Sequence, residues 1–169
     1  LKLKTEQITI AGVLGAITVV LGTTGLGFIP VATPAGAATL MHLPVVLAGI
    51  LGGPVVGAAV GLIFGLTTLR FMGDLRVVIP ARLLMGPMAF WVYSGLRRRT
   101  WGLPLAAAVG SLANTAGTLA LAVLFGYIPL AGKTGALAIA IMQGGPEALV
   151  AAVLLTPIVL AVTRAMHRA

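Results

Sequence analysis

Arg82, Asn114 and Glu147 sit inside otherwise apolar stretches, and their types set the chemistry open to the chain. An arginine can clasp a carboxylate or phosphate with two parallel hydrogen bonds. Small residues, Gly86 and Ala89, follow it at one- and two-turn spacing and leave room beside the helix. The competing use is snorkelling to external headgroups. Asn114 belongs to a polar stripe with Ser111, Thr115 and Thr118, spaced by three and four and therefore on one helical face. Such a stripe either bonds a neighbouring helix or lines a polar cavity, and Asn114 brings both donors and an acceptor. Glu147 follows Gly144-Gly145-Pro146, which reads as a break and restart. Pro146 would open a helix and place the carboxylate in its first turn, where the helix dipole favours it by about 0.3–1 kcal/mol. An ion pair with Arg82 is a second use. With Gln143, His42 and Phe28, these residues (Arg82, Asn114, Thr118 and Glu147) form the candidate substrate-binding set.

The set supports recognition better than catalysis. There are no cysteines, and the only acids beyond the N-terminus are Asp74 and Glu147, far apart and without a neighbouring histidine. No metal site is expected, since His42 and His167 stand alone. There is no Walker A motif, voltage-sensor pattern, selectivity-filter signature or paired broken repeat. The acids are too few for the usual proton relay. No enzymatic activity and no cofactor are expected, and a binding site without an energy source implies that power comes from another protein.

The elements that must position these residues follow from composition. Hydrophobic residues make up 59% of the 169 and charged residues 8%, against roughly 25% charged in soluble domains. The outside must be apolar, so this is read as an all-α integral membrane protein, one domain with six transmembrane helices. The spans are read as Thr5–Gly22, Ala37–Gly52, Pro54–Thr68, Val77–Leu96, Leu103–Phe125 and Pro146–Ala165. No cleavable signal peptide is visible in the first apolar run.

Net charge is +8. The basic residues flank apolar runs, so they read as orientation signals and not as a nucleic-acid surface. Six spans put both termini on one side with Lys2, Lys4, Arg97, Arg98, Arg99, Arg164 and Arg168. Arg70, Arg76 and Lys133 fall on the other. The excess marks the first side as cytoplasmic, in the cell membrane. The connections 23–36, 69–76 and 126–145 are then external, and their apolar content (Phe28, Ile29, Tyr127, Ile128) suits a lid over a pocket better than a spacer.

Small residues recur at intervals of four. In the first span Ala11/Gly15 and Gly12/Ala16 make flat strips for close helix contact, and the third span carries Gly57, Gly61 and Gly65. Spacing alone does not say whether the contact lies within the chain or with a partner.

GFIP at 27–30, ATLMHLPVVLAGILGGPVVGAAVGLIFGL at 38–66, PARLLMG at 80–86, NTAGTL at 114–119 and the Glu147 helix together resemble the substrate-binding S component of energy-coupling factor (ECF) vitamin transporters. The resemblance implies six helices and an external pocket under the loops after spans one, three and five. It also implies a transmembrane coupling subunit and two ATPase subunits as partners. In that family a first-helix motif of small residues docks on the coupling subunit; the matching positions are Ala11 and Gly15, with Gly12 and Ala16 in the neighbouring register. Arg82 beside amide and hydroxyl groups points to a small carboxylate vitamin such as pantothenate or lipoate, with folate or cobalamin as alternatives. A membrane assembly subunit without ligand is the competing class.

Overall fold

A chain this apolar must satisfy its backbone hydrogen bonds internally, and helices do so within each segment. The computed structural model describes residues 3–30, 37–72 and 74–166, with the backbone alone described at 28–30, 37–38, 70–72 and 166. The helices are α1 Thr5–Thr24, α2 His42–Gly52, α3 Pro54–Met72, α4 Leu75–Leu96, α5 Gly102–Leu124, α6 Ala136–Ile139 and α7 Gly145–Met166. A π-helical segment, Ala140–Gly144, joins α6 to α7. Two short strands, β1 Phe28–Pro30 and β2 Ala37–Thr39, pair antiparallel with Phe28 opposite Thr39. Four helical stretches are long and apolar enough to cross a membrane: Thr5–Thr24, Leu75–Leu96, Gly102–Leu124 and Ala136–Ala165.

Contacts sort the helix ends into two faces. At the hairpin face, Leu40 N–H donates to Gly27 O at 2.8 Å, joining the exit of α1 to the start of α2. Thr39 N–H reaches Glu147, and Tyr127 reaches Asp74, so the start of α4, the end of α5 and the α6–α7 rod meet there too. At the opposite face, Gln7 Nε2 donates to Gly52 O at 2.8 Å, and the 97–101 turn lies beside α7. Lys4, Arg97, Arg98, Arg99 and Arg164 belong to this arginine face.

The apolar core is built around α2, with nine of its 11 residues buried. At 1.5 Å per residue α2 spans about 16 Å, roughly half of a 30 Å hydrocarbon layer. The expected second span, 37–52, is therefore corrected: residues 37–39 are strand, and only His42–Gly52 is helix. Pro44 suits the first turn, where a missing N–H costs nothing. Short, enclosed α2 is tolerated because protein surrounds it instead of lipid. Gly53 turns the chain at φ 95° before α3, a conformation that side chains disfavour.

Backbones of α2, α3 and α4 touch through glycines. A Cβ at Gly49 would collide with Gly86 O, and one at Gly61 with Arg82 O. The glycine repeat of α3 thus serves a contact within the chain. The room expected beside Arg82 at Gly86 and Ala89 is filled by helices: Gly49 and Gly57 occupy one position and Gly110 the other.

The expected break at Gly144-Gly145-Pro146 is also corrected. The helix runs on from Ala136, and the 126–145 connection is correspondingly shorter. Proline in an α-helix meets the carbonyl four residues back and lacks the N–H to bond it. Here Gly145 N–H bonds Ala140 O, five residues back. The extra residue in this π turn shifts the carbonyls away from Pro146 and lets the rod continue.

Candidate functional site

Near the hairpin face the polar residues of α2, α4, α5 and α7 converge in two linked groups. In the first, Arg82 Nη1 donates to Thr118 Oγ1 at 2.6 Å, and Thr118 Oγ1 donates to Asn114 O at 2.8 Å. The Arg82 guanidinium also lies over the Phe64 ring, 5.1 Å from its centroid. Arg82 is 5% exposed, so it faces the protein interior and does not snorkel to headgroups. Its backbone is held by Gly61, and its side chain is supported from α3 and α5.

The second group surrounds Glu147. Its Oε1 accepts Thr39 N–H at 2.8 Å and Gln143 Nε2 at 3.2 Å. Glu147 falls in the first turn of α7, as expected, but the π-helical segment before that turn means the carboxylate does not meet a free helix end. The carboxylate instead satisfies an N–H of the extended segment that leads into α2. This explains how non-helical backbone is accommodated inside the protein, where an unsatisfied N–H costs about 1–3 kcal/mol. The His42 ring is 1% exposed and packs beside Glu147 and the Thr39 backbone. Glu147 is near enough for its charge to act on both His42 and Arg82, and this couples the two groups.

The cluster contains unused hydrogen-bonding capacity. Asn114 Oδ1 and Ser111 Oγ are buried without a hydrogen-bond partner among the described residues. Native interiors leave few such atoms, and each calls for a ligand, a water or a functional reason. The arrangement offers one guanidinium, an imidazole, an amide oxygen and hydroxyls from neighbouring helices. It has no nucleophile paired with a base, and the described residues contain no group of three or more metal-ligating side chains.

The structure thus brings together Arg82, Asn114, Thr118, Glu147, Gln143 and His42. The Phe28 side chain lies outside the described residues. Phe64 was missed from sequence, since an apolar ring on an apolar helix carries no signal. Tyr127, read as part of the lid, is engaged at the surface: its hydroxyl donates to Asp74, where Arg76 also pairs with Asp74 at 3.1 Å and covers the Phe125 ring.

The first-helix strips separate clearly. Gly15 is buried, and a Cβ there would lie 2.8 Å from Ile63 Cδ1, so this position packs on α3. Ala11 packs partly against the core. Gly12 and Ala16 are exposed, with nothing within 4 Å of a Cβ at Gly12. Of the two uses the spacing left open, Gly15 makes a contact within the chain, with Ala11 partly buried beside the core.

None of the curated proteins compared with the chain matches it. A family model described as "ECF transporter, substrate-specific component" matches residues 6–159, most of the chain. The helical membrane architecture and the buried polar cluster are what such a component requires, and the chain belongs to the substrate-specific component family of ECF transporters.

Proposed function

We propose that this substrate-specific component binds a small carboxylate vitamin or cofactor precursor bearing hydroxyl or amide groups, pantothenate being the best chemical match. Arg82 takes the carboxylate. Asn114 Oδ1, His42 and Ser111 take the hydroxyl and amide hydrogens. The observation that carries the reading is the combination of buried Arg82 on Thr118 with Asn114 and Ser111 on the same face of α5, whose side-chain oxygens lack partners among the described residues. Lipoate supplies a carboxylate but little else to bond, and a polar site rejects an analogue that leaves its groups unpaired.

The hairpin residues and the 125–135 turn form the lid, and the Thr39–Glu147 bond is its inner fastening. The arginine face is cytoplasmic, because it carries the greater share of basic residues. Both termini lie there. A transmembrane coupling subunit and two ATPase subunits supply the energy, and the coupling subunit docks against the open Gly12/Ala16 strip of α1.

A thermal-shift panel on purified protein tests the substrate. A ligand at 100 times its dissociation constant adds about 2.7 kcal/mol of stability. Pantothenate should raise the melting temperature more than lipoate does. Stabilisation by a vitamin without a carboxylate, with none by pantothenate or lipoate, would overturn the carboxylate assignment.

A further inference from the structure

A concave site lies at the arginine face, at the other end of the bundle from the polar cluster. It is a groove of ≈ 250 Å³ where the end of α4, the 97–101 turn and the start of α5 meet α7. Tyr93, Arg97, Arg98, Arg99, Leu103 and Leu160 line it. Its basic mouth and apolar walls match the two halves of a phospholipid.

Charge is the first argument. Three consecutive guanidiniums crowd one turn, at a face where the one acid among the described residues is Glu6, in the first turn of α1. The chain has only three acids: Asp74 pairs with Arg76, Glu147 is buried with Thr39 and Gln143, and Glu6 lies in the first turn of α1. Phosphate is the group that arginines recognise best, through planar two-point contacts.

Depth and rigidity are the others. Both tryptophans, Trp91 and Trp101, bracket the triplet in sequence and are 60% and 52% exposed. Exposed tryptophans mark the membrane–water interface, which sets the arginines at headgroup level. The turn is tightly held: Arg99 N–H bonds Leu96 O at 2.8 Å, and Gly102 N–H bonds Arg99 O at 3.0 Å. The guanidiniums therefore start from a defined backbone, with Leu103 and Leu160 continuing the groove toward the lipid interior.

We propose that this groove binds the phosphate headgroup of an anionic phospholipid, with the first part of an acyl chain against Leu103 and Leu160. Bound lipid offsets the positive triplet and fixes this end of the bundle at the membrane surface.

The test titrates delipidated full-length protein with dioleoyl phosphatidylglycerol and, separately, dioleoyl phosphatidylcholine, reading bound lipid by native mass spectrometry. Phosphatidylglycerol should bind preferentially. Arg98→Gln/Arg99→Gln should weaken it roughly 30-fold, from the loss of two basic side chains near the headgroup. Lys4→Gln/Arg164→Gln removes the same charge from the same face and should leave binding within about twofold. An unchanged melting temperature for each variant establishes that folding is intact. Equal loss in both variants would reduce the effect to general charge and overturn the site. Displacement of the lipid by millimolar inorganic phosphate would assign the groove to a soluble anion instead. Unaltered lipid binding with lost uptake in the Arg98→Gln/Arg99→Gln complex would assign it to a protein partner.

Discussion

Glu147 and Thr39, 108 residues apart, are joined by a 2.8 Å hydrogen bond from a backbone N–H to a carboxylate. The bond ties the hairpin strand β2 to the α6–α7 rod at the point where the chain dives into the core as α2. A single acidic side chain therefore does two things. It satisfies backbone that has no helical partner, and it ties β2 to α7.

Glu147→Ala removes that acceptor and leaves Thr39 N–H unsatisfied. Stability should fall by about 1.5–3 kcal/mol, the usual range for a hydrogen bond to a charged group. Hydrogen exchange should accelerate around residues 39–41. Glu147→Gln keeps an acceptor oxygen and should lose less. Equal effects of the two variants would show that charge, and not the acceptor, holds the hairpin.

Helices and polar residues were legible in the sequence to different degrees. The apolar runs mark six helical units because membrane burial demands them, and the spacing of Ser111, Asn114 and Thr118 marks one face of α5. Arg82 and Glu147 are conspicuous because ionic groups are rare in such runs. Their surroundings were not legible. Nothing in Gly144-Gly145-Pro146 distinguishes a break from a π turn, since both relieve the same proline clash. The start of α2 was misplaced because Ala37–Thr39 is as apolar as a helix, and its strand pairing with Phe28–Pro30 depends on contacts distant in sequence. The α3 glycines announced a close contact, while its partners, Gly49, Gly86 and Arg82, came only from the fold.

Arg82→Ala should weaken binding of a carboxylate substrate by about 2–5 kcal/mol, at least roughly 30-fold in dissociation constant. It should also lower stability, because Thr118 loses its donor and Phe64 its covering cation. Arg82→Lys keeps the charge without the planar fork and should fall between the two. Isothermal titration with pantothenate, alongside melting curves, separates binding from folding. Unchanged affinity in Arg82→Ala would remove the guanidinium from the ligand site.

Asp74 holds the surface clasp between the start of α4 and the turn after α5. Its hydrogen bond with Arg76, and then that with Tyr127, lowers its pKa to about 2 from an ordinary value of 3.8. A carboxylate with a depressed folded pKa contributes stability fully above its unfolded pKa and loses it as pH falls through the folded one. The clasp should therefore be indifferent to pH between about 5 and 8 and loosen only between about pH 4 and 2. Tyr127→Phe should speed hydrogen exchange of the 126–135 turn at neutral pH, and acid should then add little. Loosening of the native turn near pH 6 would contradict this assignment.

Gly12 and Gly15 give opposite outcomes for the same substitution. Gly15→Trp must push Ile63 aside within the α1–α3 contact, where overpacking usually costs about 1–3 kcal/mol, so it should lower the melting temperature and disturb binding indirectly. Gly12→Trp meets open space and should leave both fold and substrate affinity intact. If the exposed Gly12/Ala16 strip receives the coupling subunit, Gly12→Trp should nevertheless abolish uptake by the assembled transporter, because an indole there prevents close helix approach. Substrate binding and complex uptake measured side by side test the assignment: normal uptake with Gly12→Trp would place the docking surface on another face of the molecule.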